Sequence, residues 1–168
     1  MRNLCLVALF YGLFSLTSSS AQTSARVETS VRAETFGEWA VRLSPSRYPE
    51  PAQYPTVKFV PKLELQEMVC GGADCDIAGT YLGGDIVYVS DDPGMPEGKR
   101  EAVIVHEIVH YLQKLQGQTN RCRREYEANY VEWSYRQIHG ELVGDFQFDW
   151  EFYRCTPLDV LSERSFLR

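Results

Sequence analysis

The sequence predicts an α+β domain in which a short antiparallel sheet or hairpin packs on a buried helix that is followed by a second helix. Three observations lead there. β-Prone runs flank Gly83, Gly84 and Asp85 in "AGTYLGGDIVYVSDD", which is a hairpin signal. "EAVIVHEIVHYLQKLQG" at 101–117 is apolar around most of a helical circumference, so that helix is buried rather than laid on a surface. "RCRREYEANYVEWSYRQIH" then runs to Gly140, a residue suited to ending a helix.

The elements follow in chain order. Residues 1–21 carry a basic start at Arg2, an apolar run from Leu4 to Leu16 and small residues up to Ala21, which reads as a secretory signal. Cleavage is expected after Ala21, with Ala25 as the second choice. The run is too short for a membrane span, which needs about 20 apolar residues, so no span is expected after cleavage. A first helix is expected over about residues 25–43, where Val27, Val31, Phe36, Trp39 and Leu43 repeat at roughly helical spacing. "SPSRYPEPAQYP" holds four prolines and must be a connection. Residues 22–55 are therefore an N-terminal helix and a Pro-rich connection, and residues 56–168 form the main domain.

That domain opens with a strand at Val57 and Phe59, followed by the hairpin. "DDPGMPEGKR" is a turn, and the buried helix should run from Glu97 or Lys99 to Gln116 and stop at Gly117. The second helix is expected from Asn120 to His139. In the tail, Phe146, Phe148, Trp150 and Phe152 alternate, as in a strand or an extended segment.

Charge and cysteines narrow the function classes. The formal net charge is −6 and no basic run is present, so neither nucleic acid nor an anionic membrane surface is an expected partner. Cys5 leaves with the signal. Cys70, Cys75, Cys122 and Cys155 remain, an even number that suits disulfides in a secreted or periplasmic protein. "CGGADC" brings Cys70 near Cys75, which leaves Cys122 for Cys155. A thiolate metal site would call for CxxC pairs, and there are none.

The residues that carry chemistry lie in the buried helix. His106 and His110, at i and i+4, share a helix face and can reach one metal ion. Glu107 is rotated by about 100° from His106 and flanks the pair as a candidate general base. This is the HExxH arrangement of zinc peptidases. Two histidines and a carboxylate are costly to bury without partners, which favours a site over incidental core residues. A catalytic zinc needs a third protein ligand. No histidine follows within Lys114–Gly117, which excludes the metzincin pattern. His139 is 14 residues beyond Glu125, about 21 Å along a helix, and reads as a helix-end residue. Glu125 and Glu127 are both candidates, but they point about 200° apart, so only one can face the metal.

On these residues the chain resembles the gluzincins, zinc peptidases in which a glutamate on the helix after HExxH completes the metal site. Several such families show Glu-x-x-Ala followed by Asp or Asn, and Glu125-Tyr126-Glu127-Ala128-Asn129 matches. "AGTYLGGDIVYVSDD" ahead of "VIVHEIVHYLQ" also resembles a family of small secreted bacterial zincin-like proteins. The resemblance covers about residues 77–135. It implies a zincin-like catalytic domain at 56–168 and one Zn2+ per chain on His106, His110 and Glu125. It further implies Glu107 as the base, and Asn129 as the residue that orients a zinc-bound histidine. The implied activity is peptide-bond hydrolysis of a peptide or protein substrate, with the Ala78–Tyr88 hairpin as the edge to which an extended substrate adds. Tyr81, Tyr88, Tyr111 and Tyr130 are possible donors to the oxyanion, and spacing does not choose among them. The competing readings are a zinc-binding protein without catalysis and a disulfide-stabilised interaction domain.

Overall fold

The computed structural model describes residues 35–141 and 143–161. The signal reading of residues 1–21 and the expected helix before residue 35 lie outside the described residues. From residue 35 the helix is present as α1, residues 35–43. Next come β1 (Thr56–Val60), α2 (Lys62–Cys70), β2 (Gly79–Thr80), β3 (Ile86–Ser90) and α3 (Glu97–Leu115). The chain continues with α4 (Arg121–Ile138), α5 (Trp150–Tyr153) and α6 (Pro157–Leu161).

The architecture is α+β, with a correction to the sheet. The expected hairpin is present, with β2 antiparallel to β3 and Thr80 opposite Tyr88. The sheet, however, is three-stranded and mixed, in the order β1-β3-β2, because β1 pairs in parallel with β3 from Thr56↔Ile86 to Val60↔Ser90. Parallel strands need a crossover. It is supplied by α2, a helix over "KLELQEMVC" to which the sequence reading assigned no element. Its pattern is weak because only Leu65 and Gln66 are buried. The tail meets expectation in part: residues 145–149, with Phe146 and Phe148, lie outside any helix or strand, and the short helices α5 and α6 follow.

Helix α3 is the centre of the molecule. One side meets β3 and β2 and the other meets α4. Ala102, Val105, Ile108 and Val109 are fully buried, packed with Val57, Val87 and Val89 of the sheet and with Ala128, Val131 and Tyr135 of α4. Each of these valine and isoleucine side chains contributes roughly 1.5–3 kcal/mol on burial. Only Leu115, at the end of the expected apolar pattern, stays exposed.

The turn between α3 and α4 sets how these helices meet. Gly117 takes a left-handed conformation (φ 67°), which costs glycine nothing. Asn120 then caps α4, its side chain accepting from the Arg123 amide at 3.0 Å. Two disulfides complete the frame, Cys70–Cys75 and Cys122–Cys155, with the pairing expected. The second ties the start of α4 to the tail. Among the described residues no helix is long and apolar enough to cross a membrane.

Candidate metal centre

Helices α3 and α4 bring His106, His110 and Glu125 together, and one ligand atom from each lies within 4.8 Å of the other two. The histidine rings stand 4.9 Å apart at 79°. His110 Nε2 is 3.6 Å from Glu125 Oε2. Two ligands that each sit about 2.0–2.1 Å from a tetrahedral zinc would be separated by nearly that distance.

Hydrogen-bond logic fixes which nitrogen each imidazole offers. The Gln113 amide nitrogen donates to the carbonyl of Arg124 at 3.0 Å and, more weakly, to Glu127 at 3.4 Å. Both partners can only accept, so the Gln113 oxygen is turned the other way, 2.8 Å from His110 Nδ1. Nδ1 must therefore carry a proton, and Nε2 is the nitrogen aimed at Glu125. His106 is held likewise, with Nδ1 3.1 Å from the Glu132 carboxylate. The lone pair of a nitrogen facing a carboxylate oxygen requires a cation between them, either a proton or a metal. The donor set fits zinc: two imidazoles and one carboxylate, the three protein ligands of an open tetrahedral site.

Gln113 and Glu132 thus do what the resemblance implied for Asn129. Asn129 turns elsewhere. Its amide donates to the Glu125 carbonyl at 2.8 Å and to the Tyr153 hydroxyl at 3.1 Å. Neither Gln113, three residues after His110, nor Glu132, one α4 turn beyond Ala128, belongs to a motif, so the sequence offered no signal for them.

The choice between the two glutamates is equally plain. Glu127 is buried between α4 and the proline-rich connection, where its carboxylate accepts from Ser44 Oγ at 2.6 Å, the Ser46 amide at 2.9 Å and the Tyr48 hydroxyl. It pins the proline-rich connection to the helix. Burial and the Glu127 charge hold the Tyr48 hydroxyl well above its ordinary pKa.

Glu107 is buried beside the histidines. Burial raises its pKa, partly offset by His106 and His110. For His106, burial acts downward, but the Glu132 hydrogen bond and the charges of Glu107, Glu132 and Glu125 prevail and bring it to about 9. Burial pushes Glu125 up, yet its contact with His110 leaves it lowered. Strand β2 passes directly over Glu107. A Cβ on Gly79 would fall 2.5 Å from Val103 Cγ1 and 3.1 Å from Glu107 Cγ, so only glycine permits this approach.

Among the tyrosines, Tyr81 donates to the Gly84 carbonyl and Tyr111 to the Gln53 carbonyl. Tyr130 packs edge-on to Phe146 and tilted against Trp133, and Tyr88 lies under Lys58. Tyr153, at the end of α5, brings its hydroxyl within 3.1 Å of the Asn129 amide. Burial and the nearby Glu125, Glu132 and Glu107 carboxylates raise its pKa, against the Asn129 hydrogen bond. Sequence reasoning passed over it because it sits in the tail, and the Cys122–Cys155 disulfide two residues later brings it there. His139 is a helix-end residue as expected, stacked on Tyr135. No family model, curated protein or solved structure matches the chain.

Proposed function

We propose that this protein is a secreted or periplasmic zinc-dependent metallopeptidase of gluzincin type, with zinc on His106, His110 and Glu125. The observation that carries the reading is the tautomer lock: Gln113 and Glu132 each engage an Nδ1, leaving both Nε2 atoms for a cation shared with Glu125. Zinc, when bound, supplies Lewis acidity that polarises a carbonyl and lowers the pKa of a water it holds to about 7.

The chain's own groups supply the rest. Glu107, a buried carboxylate with a raised pKa, takes the proton of the attacking water and returns it to the leaving amine. A general base so placed argues against a purely structural site, which closes with a fourth protein ligand. Tyr153 accepts from Asn129, so its own proton is free to be donated to the oxyanion. The outer edge of β2, next to Glu107, is where an extended substrate adds as a further strand.

Elemental analysis of wild type, Glu125→Gln and Glu127→Gln tests the ligands, with casein-derived peptides offered to the same samples and to Glu107→Gln. One zinc per chain is expected in wild type and Glu127→Gln and none in Glu125→Gln. Glu107→Gln should keep zinc and lose about 10²–10⁴-fold in kcat. Wild-type protein without zinc after chelator-free purification would sink the reading and leave an interaction domain.

A further inference from the structure

Beside the metal centre, between α4 and residues 143–147, lies a cleft of about 390 Å³ lined by Asn129, Glu132, Trp133, Arg136, Asp145 and Phe146, among others. We propose that this cleft is the specificity pocket and that it takes a basic side chain, lysine or arginine, of the substrate. The inference rests on the peptidase reading and adds a substrate class to it.

Position comes first. Glu132, in the cleft lining, holds His106, and Asn129, also in the lining, holds Glu125 and Tyr153. Residues 125, 129, 132 and 136 recur at helical spacing and so form one stripe of α4, which leads from the centre into the cleft. A substrate bound at the centre passes this opening within a few residues of the scissile bond.

The cleft is also built. Trp133 Nε1 and Gln137 Nε2 both donate to the Gly144 carbonyl at 2.9 Å, which fastens the far wall to α4. Two aromatic rings, Trp133 and Phe146, lie in the lining 5.8 Å apart at 53°.

Charge decides the occupant. Arg136 is matched by Glu141 at 2.6 Å and Glu132 by His106 at 3.1 Å, so the charge left over in the lining is that of Asp145. Asp145 is exposed and has no hydrogen bond or ion pair among the described residues. Aromatic rings beside one unmatched carboxylate attract a cation. A neutral or acidic side chain gains the ring contact at most.

The test uses zinc-loaded Glu107→Gln protein, which binds peptides without turning them over, and titration calorimetry. Acetylated alanine-glycine hexapeptides carry lysine, norleucine or glutamate at each position in turn. At one position lysine should bind about tenfold more tightly than norleucine. Asp145→Asn, a change at an exposed residue, should reduce that ratio to within about twofold and leave norleucine binding unchanged. Three results overturn the assignment: no preference for lysine at any position, a preference for glutamate, or a lysine preference that survives Asp145→Asn. The peptidase reading is judged apart, since wild-type protein that binds the lysine peptide but never cleaves it removes the activity and leaves the cleft a basic-peptide site.

Discussion

Gln113 is the residue on which the most depends. It reads the backbone of α4 with its nitrogen and sets the proton on His110 with its oxygen. Gln113→Ala should therefore lower zinc affinity by about 10–100-fold, the usual cost of removing such a partner, as measured by competition with a chromophoric chelator. Circular dichroism should show the fold retained. Acid–base behaviour follows from the same cluster. In the metal-free protein His106 is raised to about 9, against about 6.5 when unfolded. The folded state holds the extra proton between these values. Its stabilising contribution is complete below pH 6.5 and lost as pH rises through 9, roughly 1–3 kcal/mol in all. Glu107, raised by burial, acts in the same direction at lower pH. Urea unfolding of the metal-free protein at pH 6 and pH 9.5 should show the fall. The spacing of His106, Glu107 and His110 was legible in the sequence because one helix sets it. The partners Gln113, Glu132 and Tyr153 were not, since they depend on how two helices and a tail come together.

At the scale of elements, the tail works as a strap across the start of α4. Phe146, Phe148 and Trp150 all pack on Tyr126, and Cys155 is fastened to Cys122, three residues before Glu125. Replacing both cysteines by serine frees a loop of 33 residues' separation and should cost about 3–4 kcal/mol by loop entropy, read from denaturant midpoints. It should also slow peptide cleavage while zinc stays bound, because Tyr153 is released and His106, His110 and Glu125 are not. Cysteine parity anticipated the pairing. The form of the strap was anticipated only in part: its alternating aromatics suggested a strand or an extended segment, and Phe146 and Phe148 lie outside any helix or strand, but Asp149 then caps a turn of α5. Helices α3 and α4 matched their expected bounds within about a residue because Gly117, Asn120 and Gly140 mark the ends. Helix α2 had no such chance, since of its apolar residues only Leu65 is buried.

For the whole molecule, the sheet, α3 and α4 form one core, so a cation shared between α3 and α4 is linked to global unfolding. Zinc at a hundred times its dissociation constant should add about 2.7 kcal/mol to stability. Thermal melts should show the gain in wild type, its loss with chelator, and no gain in Glu125→Gln. The class of fold was readable from hydrophobic periodicity, whereas the parallel partnership of β1 with β3 joins residues far apart and leaves no local pattern. That partnership also bears on the order in which the molecule assembles. Thr56 meets Ile86 across about thirty intervening residues, while His106, His110, Glu125 and Glu132 all belong to one helical hairpin with a short turn. Local contacts form early and distant ones late. Truncating Val57 or Val60 should therefore hasten unfolding and leave the folding rate nearly unchanged, so the half of the chain that holds the candidate metal ligands takes shape before the sheet has closed beside it.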